Sequence, residues 1–143
     1  MKQSEIAKAI AIEAHKGQTR WGGEVPYINH PLCVALMVEE AHHSDDFIAT
    51  ALLHDVLEDT HITALDLLEK GISNEVVEAV TALTKTDETS YFEYLTRVKK
   101  NYMAKVVKYY DIVHNMSCFS ESQKRSKRSL YDKYELALNF LNM

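Results

Sequence analysis

Apolar residues recur every three to four positions along almost the whole chain, a period that predicts helices rather than strands. Ile6, Ala9, Ile10 and Ala14 form the first such stripe. With Ser4 as N-cap they predict a helix to about residue 16, ended by Gly17. Residues 18–27 are rich in breakers and read as a loop. Pro31 fits the first position of a second helix, 32–41, which puts His30 at its entrance beside the positive end of the dipole. Asp45 and Asp46 open a third. A short helix follows around 64–70, stopped by Gly71. Ser73 or Asn74 caps the next, with Val76, Val77, Val80 and Leu83 facing inward. After a polar, mobile loop at 84–90 come helices over 91–99, 103–118 and 127–141. In the second of these Val106, Val107, Tyr110, Val113 and Ser117 mark the packed side; in the last, Leu130, Tyr134, Leu138 and Leu141 do. No strand, repeat or linker is predicted. The expected architecture is an all-α single domain over 1–143.

Composition narrows the function classes. The 143 residues are 46% apolar and 26% charged, with only 4 Gly and 2 Pro to punctuate a many-stranded sheet. A net charge of −5 argues against a nucleic-acid polymer as partner and leaves room for a small phosphorylated ligand. No apolar run approaches the roughly 18 residues of a membrane span. Cys33 and Cys118 lack metal or redox spacing and read as reduced core residues of a soluble, cytoplasmic protein.

The chemistry concentrates in ALLHDVLEDT, residues 51–60. In a continuous helix His54 and Glu58 lie on one line and Asp55 and Asp59 on the next. Burying so many carboxylates without a partner costs several kcal/mol, which a bound cation settles. The plainer alternative is a solvated acidic helix end with a structural histidine. Asp111 and Asn115, one turn apart in an apolar segment, form a second polar edge. Alone, Asp111 reads as a satisfied core acid. Beside His30, His54 and Asp55 it completes a mixed nitrogen and oxygen set that suits Mn²⁺, Fe²⁺ or Zn²⁺ better than Mg²⁺ or Ca²⁺.

Five segments then stand in one order: AHKGQTR at 14–20, PYINHP at 26–31, residues 51–60, LTK at 83–85, and VKYYD at 107–111 with His114 and Asn115. Together they resemble the HD-domain hydrolases of the RelA/SpoT family, including the small stand-alone alarmone hydrolases. The resemblance spans about residues 5–118. It implies an all-helical fold, one Mn²⁺, and removal of the 3′-pyrophosphate from ppGpp or pppGpp. Matched by position, it implies His30, His54, Asp55 and Asp111 as metal ligands. Glu58 and Asp59 match the acidic pair that orients or deprotonates water, Arg20 the residue packed on guanine, and Asn115 a contact to the sugar. A chain this short has no room for the synthetase half of the long members, so degradation alone is implied. The sequence departs from the family at Trp21, at Tyr109 and Tyr110, and at Ser117 and Cys118.

Two further readings stand beside this one: a phosphatase acting on another nucleotide, such as NADPH or an adenine alarmone, and a non-catalytic nucleotide sensor. The intact Glu58 and Asp59 count against the sensor. Lys85 reads equally as a phosphate contact or a solvated loop residue. His15 reads as structural support, His114 as a support behind the ligands or as packing, and His42, His43 and His61 as solvent-facing. Lys124, Arg125, Lys127 and Arg128 read as a wet charged face able to draw in an anion.

Overall fold

A computed structural model describes residues 1–20 and 23–142. Trp21, one of the positions where the sequence departs from the family, therefore lies outside the described residues. The chain is built around α3 (Asp45–Leu53), which buries Ala49, Thr50, Ala51, Leu52 and Leu53 in succession. A helix apolar on every side belongs in the middle of a bundle. Here α1 (Gln3–Ala14), α2 (Asn29–Glu40), α6 (Asn74–Ala82) and α8 (Tyr102–Ser117) all pack on it. The remaining helices are α4 (Val56–Asp59), α5 (Ala64–Glu69), α7 (Tyr91–Lys100), α9 (Glu121–Ser126) and α10 (Arg128–Asn142). Among the described residues the fold is all-α, apart from one ribbon of two two-residue strands. No helix of the described residues is long and apolar enough to cross a membrane.

Local signals set most helix starts. Ser73 caps α6 by accepting from the Val76 N–H. Thr63 with Asp66, and Ser90 with Glu93, close reciprocal capping boxes at α5 and α7. Gly71, at φ +98, ends α5 in the left-handed conformation that suits glycine. The inward set of α6 is as its spacing predicts: Val76, Val77, Val80 and Leu83 are all buried.

Several expectations are corrected. Ser4 caps nothing: α1 begins after Lys2, and Ser4 donates its N–H (2.9 Å) and hydroxyl (2.5 Å) to the Asp45 carboxylate. With Gln3 Nε2 donating to Asp46 Oδ1 at 2.8 Å, two adjacent acids tie the start of α1 to the start of α3. Pro31 is the third residue of α2 rather than the first, still inside the first turn, where its missing N–H costs nothing. The loop holds an antiparallel pairing of β1 (Thr19–Arg20) with β2 (Val25–Pro26), too short for any alternating pattern to announce it. On α8 the buried face is Ala104, Val107, Asp111 and Ile112. Val106, Tyr110 and Val113 are only half-buried and Ser117 is exposed, because the inward side is given to Asp111. Leu130 is exposed, and α10 anchors through Ala137 and Leu141. The charged stretch at 124–128 runs from the end of the separate helix α9, opened by a Ser120–Gln123 capping box, into the start of α10. His43 is half-buried and stacks on Phe47, unlike the exposed His42 and His61. Cys33 and Cys118 are free thiols but half-buried.

Candidate metal centre and phosphate pocket

The acidic motif does not form one continuous helix. The chain leaves helical geometry at Asp55 (φ −108, ψ 1), so α3 and α4 are separate and the two predicted lines of side chains are broken. Tertiary partners fix that corner. The Asp55 carboxylate accepts from the Tyr27 hydroxyl, and His54 Nδ1 donates to the Ala51 carbonyl at 2.6 Å. A carbonyl can only accept, so the Nδ1 proton is assigned, and Nε2 is turned toward the acids.

Three buried side chains from three helices converge there: His30 from α2, His54 from the end of α3 and Asp111 from α8. Their ligand atoms all lie within 4.8 Å of one another. That is close enough to share one ion whose donors lie about 2.0–2.3 Å away. His54 Nε2 sits 3.0 Å from Asp55 Oδ2 and 3.4 Å from Asp111 Oδ1. It is in line with neither, and is buried without a hydrogen-bond partner among the described residues. An orphaned imidazole nitrogen between two carboxylates is what a divalent cation satisfies. Asp55 stands beside this trio but outside the mutually close group.

The electrostatics agree. Burial alone pushes the Asp111 carboxyl up, but the Lys108 ammonium, then His54 and His30, hold it well below the usual carboxylate range. Burial likewise opposes the charge on Asp55, and His54 overcomes it. Burial pushes His54 down, yet Asp55 and Asp111 together raise it well above its ordinary value. A proton on His54 thus occupies the place that a cation fills by the same attraction. His30 is lowered, chiefly by burial, against the pull of Asp111. Its two ring nitrogens are both engaged at 2.7 Å, Nε2 by Asp111 Oδ1 and Nδ1 by His114 Nδ1. The ionised Asp111 carboxylate can only accept, so the neutral His30 ring carries its proton on Nε2 and its Nδ1 accepts from His114 Nδ1.

Other residues fall on two sides of this trio. On one, Arg20 Nη2 donates to Asn115 Oδ1 at 2.7 Å, and the Arg20 guanidinium lies 5.8 Å from the centre of the Tyr27 ring. Asn115 also reaches Asp111 Oδ1 at 3.4 Å. On the other, Glu58 Oε1 accepts from the Lys85 N–H at 2.8 Å, while Lys85 Nζ donates to the Thr86 carbonyl at 3.2 Å. Glu58 and Asp59 are both exposed at the rim. Partial burial and the charges of Asp55 and Glu58 raise the Asp59 carboxyl. Gln18 links His15 Nδ1 (2.8 Å) to the Asp59 carbonyl (3.0 Å), so the buried His15 braces α4 from behind.

A cavity of about 160 Å³ opens between His54, Asp55, Glu58, Lys85, Lys108 and Asp111. A larger one of about 590 Å³, between α7 and α10, shares Tyr91 and Lys133 with it but is mainly apolar and includes none of the trio; chemistry rather than size selects the site. Sequence reasoning gave no role to Lys108, whose ammonium lies 2.9 Å from Asp111 Oδ2. The available signal was a lysine one turn before a buried acid on the same face. It took Tyr27 as loop only, whereas His114 stands behind His30 as a support next to the ligands.

Known proteins resemble this chain in sequence and in fold. Over 91% of this chain and 20% of that protein, the sequence is 33% identical to the bifunctional (p)ppGpp synthase/hydrolase SpoT of Escherichia coli. Over 57% of this chain and 12% of that protein, it is 42% identical to the guanosine-3′,5′-bis(diphosphate) 3′-pyrophosphohydrolase of Haemophilus influenzae. The chain thus spans about a fifth or less of the length of these curated relatives. A solved structure of a metazoan ortholog of SpoT that hydrolyzes ppGpp superposes with a TM-score of 0.73, covering 99% of this chain and 94% of that one. At 21% identity that likeness shows the fold. The HD-domain family model matches residues 7–135, well over half of the chain, and this protein belongs to the HD-domain family.

Proposed function

We propose that this chain is a Mn²⁺-dependent hydrolase that removes the 3′-pyrophosphate of ppGpp or pppGpp, leaving GDP or GTP. The observation that carries the reading is the buried trio of His30, His54 and Asp111, with its orphaned nitrogen, set between an acidic rim and a lysine-lined cavity. His30, His54, Asp55 and Asp111 hold the cation; two imidazoles with carboxylates favour Mn²⁺, with Fe²⁺ or Zn²⁺ as substitutes. When bound, a divalent cation supplies Lewis acidity toward a phosphoryl oxygen and water. Glu58 and Asp59 orient the attacking water and take its proton, a task suited to the raised Asp59. Water oxygen adds to the phosphorus attached to ribose O3′, the P–O3′ bond breaks, and O3′ leaves with a proton. Arg20 and Asn115, already joined, receive base and sugar, and Lys85 faces the phosphates.

Product analysis with Mn²⁺ present tests the reading. Pyrophosphate should be released from ppGpp and pppGpp. Orthophosphate from NADPH instead would install the phosphatase reading, and binding of ppGpp without any product would leave a sensor. Elemental analysis should find metal in the wild-type protein and not in Asp55→Ala; equal content in both removes Asp55 from the ligand set. Arg20→Ala should raise KM for ppGpp several-fold and change kcat less, because a grip on the base serves ground and transition states alike. Equal losses in kcat and kcat/KM would place Arg20 at the reacting phosphate instead.

A further inference from the structure

The lysine-lined cavity continues past the metal trio to a wall that the hydrolase reading leaves without a task. Tyr91 of α7 and Lys133 of α10 line it together with Lys108. The Lys133 ammonium lies 4.0 Å from the centre of the Tyr91 ring. The Tyr91 hydroxyl is buried and has no hydrogen-bond partner among the described residues. Lys108 gives one donor to Asp111 at 2.9 Å and lies 5.3 Å from the centre of the Tyr94 ring, and its ammonium also lines the cavity. Of the acids present, Asp55 and Asp111 face His54, and Glu58 has an oxygen occupied by the Lys85 N–H. Three ammonium groups and an unanswered hydroxyl therefore surround a small space that begins at the metal trio.

We propose that this end of the cavity is a subsite for the distal phosphate of a pyrophosphoryl group, with Lys108, Lys133 and Tyr91 as its donors. The proposal rests on the hydrolase reading and deepens it: the trio takes the phosphorus that reacts, and this wall takes the one beyond. It makes α10 part of the site and gives the protein a reason to prefer a pyrophosphoryl ester over a phosphomonoester. A monoester fills the trio and leaves the hydroxyl and Lys133 unanswered. Charge-assisted hydrogen bonds are the strong ones, so each donor should matter.

Calorimetric titration of inorganic pyrophosphate and of orthophosphate tests this directly, in buffer holding a small constant excess of Mn²⁺ so that the metal site stays filled. Lys133→Ala and Tyr91→Phe should each weaken pyrophosphate by about tenfold, the scale of one hydrogen bond to a charged group, and leave orthophosphate nearly unchanged. Lys127→Ala, an exposed cation outside the cavity, should change neither. Unchanged pyrophosphate affinity in both variants, or equal loss for both anions, overturns the subsite. The two readings fail separately. Selective pyrophosphate loss in the variants without any turnover of ppGpp keeps the subsite and removes the alarmone substrate. Turnover of ppGpp with pyrophosphate binding insensitive to both variants does the reverse.

Discussion

Glu58→Gln should lower turnover of ppGpp by roughly 10²- to 10⁴-fold, the usual contribution of a positioned general acid–base group, while keeping the metal and the melting temperature. The substitution preserves shape. Glutamine retains an oxygen able to accept the Lys85 N–H that Glu58 Oε1 now accepts at 2.8 Å, so the loop after α6 stays in place. What is lost is the negative charge and the capacity to take a proton. Glu58 stands at the exposed rim, outside the trio of His30, His54 and Asp111, and its neutralisation removes no member of that group. Single-turnover kinetics with elemental analysis on the same preparation decides the outcome. Loss of metal would move Glu58 into the ligand set. Unchanged turnover would leave Asp59 as the sole proton acceptor.

Lys108→Met should destabilise the metal-free protein by about 3 kcal/mol, the low end of what removing one partner of a buried ion pair costs. The low end applies because His30, His54 and Asn115 also face the Asp111 carboxylate and compensate part of its charge. The Lys108 side chain is 16% exposed and its ammonium is 2.9 Å from Asp111 Oδ2, so the pair is mostly shielded from water. For a chain of this size the melting temperature should fall by roughly 10 °C. Added Mn²⁺ should recover much of that loss, because a cation beside Asp111 replaces the missing positive charge. Its stabilising effect should accordingly be larger in the variant than in the wild type. Thermal melts of both proteins, with and without Mn²⁺, give the four numbers needed. Identical metal-free melting temperatures would show that Lys108 and Asp111 are not energetically coupled.

The sequence by itself determined where most helices lie and much of what they bury. Helical period and capping are local: Val76, Val77, Val80 and Leu83 are neighbours within two turns, and Ser73 or Ser90 bonds an N–H three residues on. The candidate ligands were legible for a related reason. Histidines and acids embedded in apolar segments are costly to bury unpaired, so their presence signals a shared partner. Which of them meet was decided only in three dimensions. His30 and Asp111 are 81 positions apart, and Arg20 and Asn115 are 95 apart. The turn at Asp55 depends on Tyr27 as well as on the local helix, and Ser4 serves Asp45 instead of its own helix. The inner face of α8 followed the same rule. Its apolar residues allow more than one side to face the core, and the contacts of Asp111 with His30, His54 and Lys108 select the one observed. A helix forms from interactions within a turn, but the rotation that presents it to the bundle is fixed by partners distant in the chain.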